Sequence, residues 1–554
     1  MKKILSIVIL CAVAASAAAK PAYRGPIVRT AADGSEQVVY LHGNEDFHYM
    51  TDATGRWLDA TTLRPISEEA KSERLKARSE SRKVRGHRAP QQTEGVGEEP
   101  NIAPRGLLIL VNFQDVKFST PNATVDSMLN GDNFARDYSY VYSYRDEFNK
   151  IQNETIQIQS EGSARKYFEA QSYGQYSPVF DVVGPVTMSH NMAYYGENND
   201  DNDGSDKRPV EMIAEACKLA DSELGVDFTR YDNDNDGYVD FVYVIYAGYG
   251  EADGAPANTI WPHQYNLTYA GTKCIVDGLT VDRYACGSEL SYVTKQYDGI
   301  GTFCHEFSHV LGLPDLYPTG DDNSHKTLGE WDIMDYGPYN NYGNTPPAYS
   351  AYERFYMGWL TPRVLSDKEY VWLNPINYGK GYSILLCEGD SHNMTGWDPN
   401  PTTFYMVEAR TKNGWDSYLP GEGLLITKIQ YSKYTWKYNV VNNNSRSMCV
   451  DLIEADGSAP TYNQNNPYNG FFGKSTDAFP AGASEWTGFA GHEITNISVQ
   501  EGGAVTFSYR GAAVSALDEA EDGKKVHKIL RNGQIYMIYK GQMYDVQGRR
   551  IENW

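Results

Sequence analysis

The chain has 554 residues, is 41% hydrophobic and 22% charged, and carries a net charge of −23, with a mean hydropathy of −0.54. That length exceeds one ordinary core, and the composition is that of a globular chain of two to four domains. So acidic a balance argues against nucleic acid as a partner, which needs a basic face, and suits calcium sites. The 43 Tyr and 50 Gly favour β structure with many turns over a helical bundle.

Residues 1–19 read as a secretory signal peptide: Lys2-Lys3, an apolar run from Ile4 to Ala15, then small residues at Ala15, Ala17 and Ala19 that offer cleavage sites. The run is too short to span a bilayer, so an exported protein, secreted or at the cell surface and without a transmembrane segment, is predicted. Of the 7 cysteines, Cys11 lies in this run, which leaves Cys217, Cys274, Cys286, Cys304, Cys387 and Cys449. An even count permits disulfides but is too sparse for a disulfide framework, and Cys304 reads as a packed thiol.

Residues 20–100 differ in composition from the rest of the chain. Gln37–Leu41 and Phe47–Met50 predict short strands joined by His42-Gly43-Asn44, and Ser67–Arg88 is a polar stretch, helical at first. It carries Arg82, Lys83, Arg85 and Arg88 and runs into a linker at Ala89–Gly95. A small module followed by an exposed basic linker is read as a propeptide with a trypsin-like cleavage site, in preference to a short accessory domain on a solvated linker, with a polar residue near His42–His48, such as Asp46, as the candidate plug.

Residues 101–362 alternate strand and helix signals. Gly106–Phe113 predicts a fully buried strand, Ala164–Tyr173 a helix, Pro178–Met188 further strand, Arg208–Leu224 a helix and Phe241–Tyr246 a strand. Before that last strand, Asp232, Asp234 and Asp236 alternate with Asn, and Gly237, Tyr238 and Asp240 come next. This is the first half of an EF-hand calcium loop, with a backbone ligand expected at Tyr238. Tyr243 stands where the bidentate Glu would be, so the loop completes its coordination elsewhere; a second acidic segment, Asn198–Asp206, reads as a loop.

The densest pattern is Gly299–Tyr317, containing His305-Glu306-Phe307-Ser308-His309, Gly312 and Asp315. On a helix His305 and His309 lie one turn apart on one face and reach one metal ion, with Glu306 beside them to take a proton from water. Gly312 lets the chain turn so that Asp315 supplies a third ligand. Downstream, Met334 in Leu328–Gly337 is expected in a tight turn beneath the metal, and Tyr336 is the candidate oxyanion partner. Pro347–Leu360 predicts a helix. Beyond Thr361 short strands at Tyr382–Cys387, Thr403–Ala409, Gly423–Ile429 and Ala504–Tyr509 predict a β-sandwich-like module over residues 363–511. Residues 512–554 form a short β tail, a sorting or anchoring element or a piece packed on that module.

These segments, with LLILVNFQD, YDNDNDGYVDFVYVIYAGYG, CHEFSHVLGLPDLY, GEWDIMDYG and FYMVEARTKNGWDSYLPGEGLLI, resemble the immune inhibitor A family of secreted zinc metalloendopeptidases, within the metzincin-like zincins. The resemblance runs from about Gly106 to Asp456. It implies an α+β fold: a zincin-type domain of twisted mixed sheet plus active-site helix, an all-β module after it and a propeptide before it. It also implies zinc ligands at His305, His309 and Asp315, the general base at Glu306 and the Met-turn at Met334. Where the usual metzincin third ligand is His, this chain has Asp315, which makes the site harder and more anionic.

The expected function is hydrolysis of peptide bonds in extracellular proteins by a zinc enzyme, calcium-supported, acting as a monomer. Substrate is expected to extend along an edge strand near Ala285–Leu290. The competing reading is a non-catalytic, calcium-stabilised adhesion or glycan-binding protein with a relic zincin domain. A purely structural zinc site is disfavoured because no fourth Cys or His sits at suitable spacing.

Overall fold

The computed structural model describes residues 19–554 except 24, 32, 46, 87–99, 101–102, 146–150, 200–204, 321–324, 380, 458–472, 514–526, 532–533, 540–541, 546–549 and 552–554. Asp46, Arg88 and most of the predicted signal peptide therefore lie outside the described residues.

The chain is a mixture of α and β. Strand Arg105–Asn112 has Gly106 to Val111 all buried, as a strand covered on both faces must. It pairs in parallel with Val179–Thr187 on one side and with Val242–Tyr249 on the other. Val242–Tyr249 in turn pairs in parallel with Arg283–Leu290, and His263–Asn266 closes the five-stranded sheet as an antiparallel edge. Successive side chains point to opposite faces. Leu107, Ile109 and Val111 pack with Met212, Ile213 and Cys217 of helix Pro209–Leu224, while Leu108 and Leu110 share a core with Phe303 and Phe307 of helix Ile300–Val310. One pleated sheet thus separates two cores, and the helix with the His pair lies on one of its faces.

The expectation of substrate along Ala285–Leu290 is corrected in part. Ala285 and Cys286 already pair on both sides, with Gln264 and His263 across one edge and Tyr243 and Val244 across the other. The edge strand there is His263–Asn266, whose four residues are themselves buried.

After the helix Ala351–Tyr356, which starts in a Ser350–Glu353 capping box, the chain turns to strands. Arg363–Val364, Ile384–Cys387, Thr403–Arg410, Gly423–Gln430 and Val450–Leu452 form one sheet, and Glu369–Leu373, Val505–Tyr509 and Ile494–Val499 another. Ile384, Leu386, Val407, Leu424 and Ile426 pack with Val371, Val505 and Phe507 of the second sheet. Their alternates Leu385, Phe404, Met406, Leu425 and Ile429 face the core that holds Phe303, Phe307, Tyr352 and Phe355. The β-rich part therefore shares a core with the segment before it.

The N-terminal residues form a four-stranded antiparallel sheet, Ile27–Thr30, Glu36–Asn44, Phe47–Thr51 and Trp57–Leu58, followed by helix Glu68–Gly86. His42, Gly43 and Asn44, expected to be a connection, are instead strand residues paired with Tyr49, His48 and Phe47. This sheet buries Ile27, Val39 and Leu41 against Ala252 and Trp261 of the central part. Strands His527–Arg531, Gln534–Tyr539 and Gln542–Asp545 form an antiparallel sheet whose Ile538 and Met543 sit with Tyr370 and Trp372. Cys217, Cys274, Cys286, Cys304, Cys387 and Cys449 are all free thiols. Among the described residues no helix is long and apolar enough to cross a membrane.

A buried ion pair ties the β-rich part to the segment leading into helix Ala351–Tyr356. Arg410 donates to Asp416 at 2.6 and 3.0 Å and to Glu408 at 3.1 Å. The same carboxylates accept from the backbone N–H of Ala348 and Ala351. Removing one partner strands the other charge inside the protein, so Asp416→Ala should cost about 3–5 kcal/mol in urea unfolding. A loss below about 1 kcal/mol would show that Arg410 finds water instead.

Candidate metal centre and cleft

Helix Ile300–Val310 is amphipathic in an unusual sense, because both of its faces are buried. Ile300, Phe303, Cys304, Phe307 and Val310 fill the core. The opposite face presents Thr302, His305, Glu306 and His309 to the cleft. Spacing alone dictates this division, since residues four apart lie on one side.

The two imidazoles are oriented from behind. His305 Nδ1 donates to the carbonyl of Ile333 at 2.7 Å, and His309 Nδ1 donates to the carbonyl of Leu313 at 2.8 Å. A carbonyl accepts only, so both Nδ1 atoms carry the proton and both Nε2 atoms turn lone pairs into the cleft. The helix ends because Gly312 takes φ of 110°, a left-handed conformation that suits glycine. The chain then doubles back and delivers Asp315. Its Oδ1 lies 3.3 Å from His305 Nε2 and 3.2 Å from His309 Nε2, and the two Nε2 atoms are 3.2 Å apart.

Three donor atoms thus form a nearly equilateral triangle. An ion about 2.0–2.1 Å from each donor, with tetrahedral angles, requires edges of about 3.3 Å. The triangle fits zinc, and two imidazoles with one carboxylate form a donor set that zinc accepts. Asp315 Oδ1 is buried with no hydrogen-bond partner, as a ligand atom would be. Burial pulls His305 below its ordinary value, whereas at His309 burial is outweighed by the Asp315 carboxylate, which raises it. Burial also opposes the charge on Asp315, but the neighbouring imidazoles hold its carboxyl well below the usual range.

Residues behind the triangle fix it further. Asn439 accepts from the Asp315 backbone N–H at 2.7 Å and donates to Asp315 Oδ2 at 2.6 Å, leaving Oδ1 for the centre. Met334 is fully buried in a turn where its backbone N–H reaches Asp332 Oδ1 at 2.8 Å and its carbonyl accepts from Leu316 at 2.8 Å. The turn that supplies the Ile333 carbonyl to His305 therefore also pins the strand of chain carrying Asp315.

Glu306 is fully buried, and burial pushes its carboxyl up to about 8. Its Oε1 accepts the backbone N–H of Lys20 at 2.9 Å. One bond earlier, the hydroxyl of Tyr317 donates to the carbonyl of Ala19. A whole peptide unit, Ala19–Lys20, is therefore held between an acid and a phenol beside the His pair. Trp261 Nε1 donates to the Lys20 carbonyl at 3.0 Å, Tyr339 to the Pro21 carbonyl at 2.6 Å, and Tyr23 N–H to the Ala252 carbonyl at 2.8 Å. Sequence patterns alone do not point to Tyr317, Asn439 or the Lys20 contacts. Tyr317 is within reach of them, two residues beyond Asp315; Asn439 is 124 residues away and carries no local signal. Tyr336, the expected oxyanion partner, is buried with its ring 6.5 Å from that of Tyr317.

In the acidic loop, carboxylate oxygens of Asp232, Asp234 and Asp236 lie within 4.8 Å of one another. Gly237 takes φ of 90° at the turn. Asp240 is turned to Asn233, accepting from its N–H at 2.7 Å and its Nδ2 at 2.5 Å. Tyr238 begins a short strand paired with Thr280, and Tyr243 is buried in the central sheet. Strand pairing replaces the helix that an EF-hand would have there.

A protein-family model, described as Immune inhibitor A peptidase M6, catalytic domain, matches residues 102–360. Among curated proteins, the chain is 29% identical over 236 residues to Pre-pro-metalloprotease PrtV of Vibrio cholerae serotype O1, covering 37% of this chain and 25% of that protein. It is 27% identical over 279 residues to Immune inhibitor A of Bacillus thuringiensis subsp. alesti, covering 44% of this chain and 38% of that protein. The chain thus spans well under half the length of these relatives. By this match, residues 102–360, with the His305–Glu306–His309 helix near their end, are similar to the catalytic domain of the immune inhibitor A peptidase M6 family.

Proposed function

We propose that the protein is an exported zinc endopeptidase that hydrolyses peptide bonds of extracellular proteins, with His305, His309 and Asp315 holding the metal and Glu306 as general base. The observation that carries the reading is the set of three converging donors beside Glu306 and Tyr317, which hold the main-chain nitrogen of Lys20 and the carbonyl of Ala19 at the predicted signal-peptide junction. A cleft that grips main-chain N–H and C=O groups is a cleft for peptides.

Bound zinc supplies a Lewis acid for the substrate carbonyl and lowers the pKa of a water molecule. The chain's own residues do the rest. Glu306 takes the proton of the attacking water and passes it to the leaving nitrogen, the position that the Lys20 nitrogen occupies. Tyr317, placed on the carbonyl oxygen, donates to the oxyanion as charge develops there; Tyr336, packed nearby, is the second candidate for that role. Burial favours neutral Glu306 when no cation is near, so a bound cation and a charged base are coupled.

Residues 20–100 are read as a propeptide because their first residues stand where substrate would lie. The occluding segment on this reading begins at Lys20, and processing in the basic stretch around Arg82, Lys83 and Arg85 would allow it to leave. Residues 363–511 are read as a β-sandwich-like module, and the tail as an element packed on it. Mass analysis of the active secreted form checks the processing: an N-terminus between about residues 83 and 105 is expected, and full activity with residue 20 still at the N-terminus would contradict it. Calcium is proposed at Asp232, Asp234, Asp236 and Asp240 with the Tyr238 backbone. Calcium at a hundred times its Kd should add about 2.7 kcal/mol to stability, read as a higher Tm that Asp234→Ala abolishes; an unchanged Tm would reject the site.

The catalytic assignment is tested with Glu306→Gln. The variant should bind one zinc as the wild type does, while kcat/KM on casein falls by about 10²–10⁴-fold. Casein cleavage at the wild-type rate would remove Glu306 from the mechanism.

A further inference from the structure

The Lys20 side chain, unlike its main chain, makes contacts that any peptide in the cleft need not make. Its ammonium lies 2.8 Å from Asp253 Oδ1, donates to Thr302 Oγ1 at 2.9 Å, and sits 4.4 Å from the centre of the Tyr339 ring. Thr302 donates onward to Asp298 Oδ2 at 2.9 Å. Lys20, Asp253, Asp298 and Thr302 are all buried, none more than 7% exposed. The ammonium thus lies in a buried setting with one carboxylate in contact, a second reached through Thr302, a hydroxyl and an aromatic face.

Its place relative to the reacting atoms is fixed by the helix. Thr302 and Glu306 are one turn apart on the same face. A residue whose nitrogen lies on Glu306 therefore sends its side chain back along the helix to Thr302. That residue is the one that leaves with the new amino group. The two buried carboxylates set the preference: a neutral side chain leaves both without a cation, and an acidic one adds a third negative charge. Burial opposes the Lys20 charge, but Asp253 and Asp298 outweigh it and keep the ammonium protonated.

We propose that Asp253, with Asp298, Thr302 and Tyr339, forms a specificity pocket for a lysine or arginine side chain, so that cleavage occurs on the amino side of basic residues. The inference rests on the endopeptidase reading and names its substrate class. In the reaction water gives its hydroxyl to the acyl carbon, the C–N bond breaks, and the basic residue's nitrogen takes the water's other proton from Glu306 and departs as a free amine. Lys20 holds the pocket in the unprocessed chain, and substrate takes it afterwards.

The test uses the processed, zinc-loaded protein on a denatured proteome, with mass-spectrometric identification of new N-termini. Lys and Arg should be enriched there about tenfold over their abundance. Matched peptides carrying Lys, acetyl-lysine or Gln at that position should rank Lys far ahead, with kcat/KM about 10²-fold above acetyl-lysine. Asp253→Asn should collapse that ratio, and because acetyl-lysine alters only the substrate, the comparison survives if the variant misfolds. A second readout is fluorescence anisotropy with processed Glu306→Ala, in which the Lys peptide should bind at least about tenfold tighter than the Gln peptide. New N-termini without basic enrichment, or equal binding of the two peptides, would overturn the pocket. Selective binding of the Lys peptide with no cleavage by the wild type would keep the pocket and overturn the peptidase reading instead.

Discussion

Three lone pairs are aimed at one point. His305 Nε2, His309 Nε2 and Asp315 Oδ1 stand 3.2–3.3 Å from one another in a buried site, with the imidazole protons turned outward to Ile333 and Leu313. A single proton there could bond only two of the three donors; a cation at the centre satisfies all of them. Much of the surrounding structure serves to hold that arrangement. The helix gives the one-turn spacing, Gly312 reverses the chain, the Met334 turn presents a carbonyl to His305, and Asn439 clamps the second oxygen of Asp315. Asn439 belongs to the β-rich part, so that part is more than an appendage of the catalytic segment. It contributes to the polar shell that sets the third donor.

The same division of labour appears in the sheets. The central sheet and the five-stranded sheet after residue 362 are each covered on both faces, with alternate residues assigned to separate cores. A helix lying on such a sheet has its cleft face fixed by the packing of its other face, and Phe303 and Phe307 supply that packing. Main-chain atoms of Ala19 and Lys20 are held by Glu306, Tyr317 and Trp261, whereas the Lys20 side chain is held by Asp253, Thr302 and Tyr339.

The metal-site helix is legible in the sequence because its information is local: residues three and four apart, a glycine at the stop and an acid just beyond it. Buried strands such as Gly106–Val111 are legible because an unbroken apolar run has few other uses. What escapes is long-range. Asn439 reaches Asp315 across 124 residues, and Lys20 reaches Glu306 across 286, neither marked by composition or period. Strand order escapes for the same reason: the mixed sequence of Ala285–Leu290 fits an edge or an interior strand, and only its pairing with Gln264 and His263 decides. His42–Asn44 misleads because His-Gly-Asn is turn chemistry, yet Gly43 serves there because its missing Cβ admits the Phe47 carbonyl at close approach.

The most direct test of the central claim is anomalous diffraction at the zinc absorption edge from crystals of the purified protein. The account predicts one strong peak about 2.0–2.2 Å from His305 Nε2, His309 Nε2 and Asp315 Oδ1 together. A peak bonded to the two histidines but not to Asp315, or no peak at this triangle in zinc-replete protein, would contradict it.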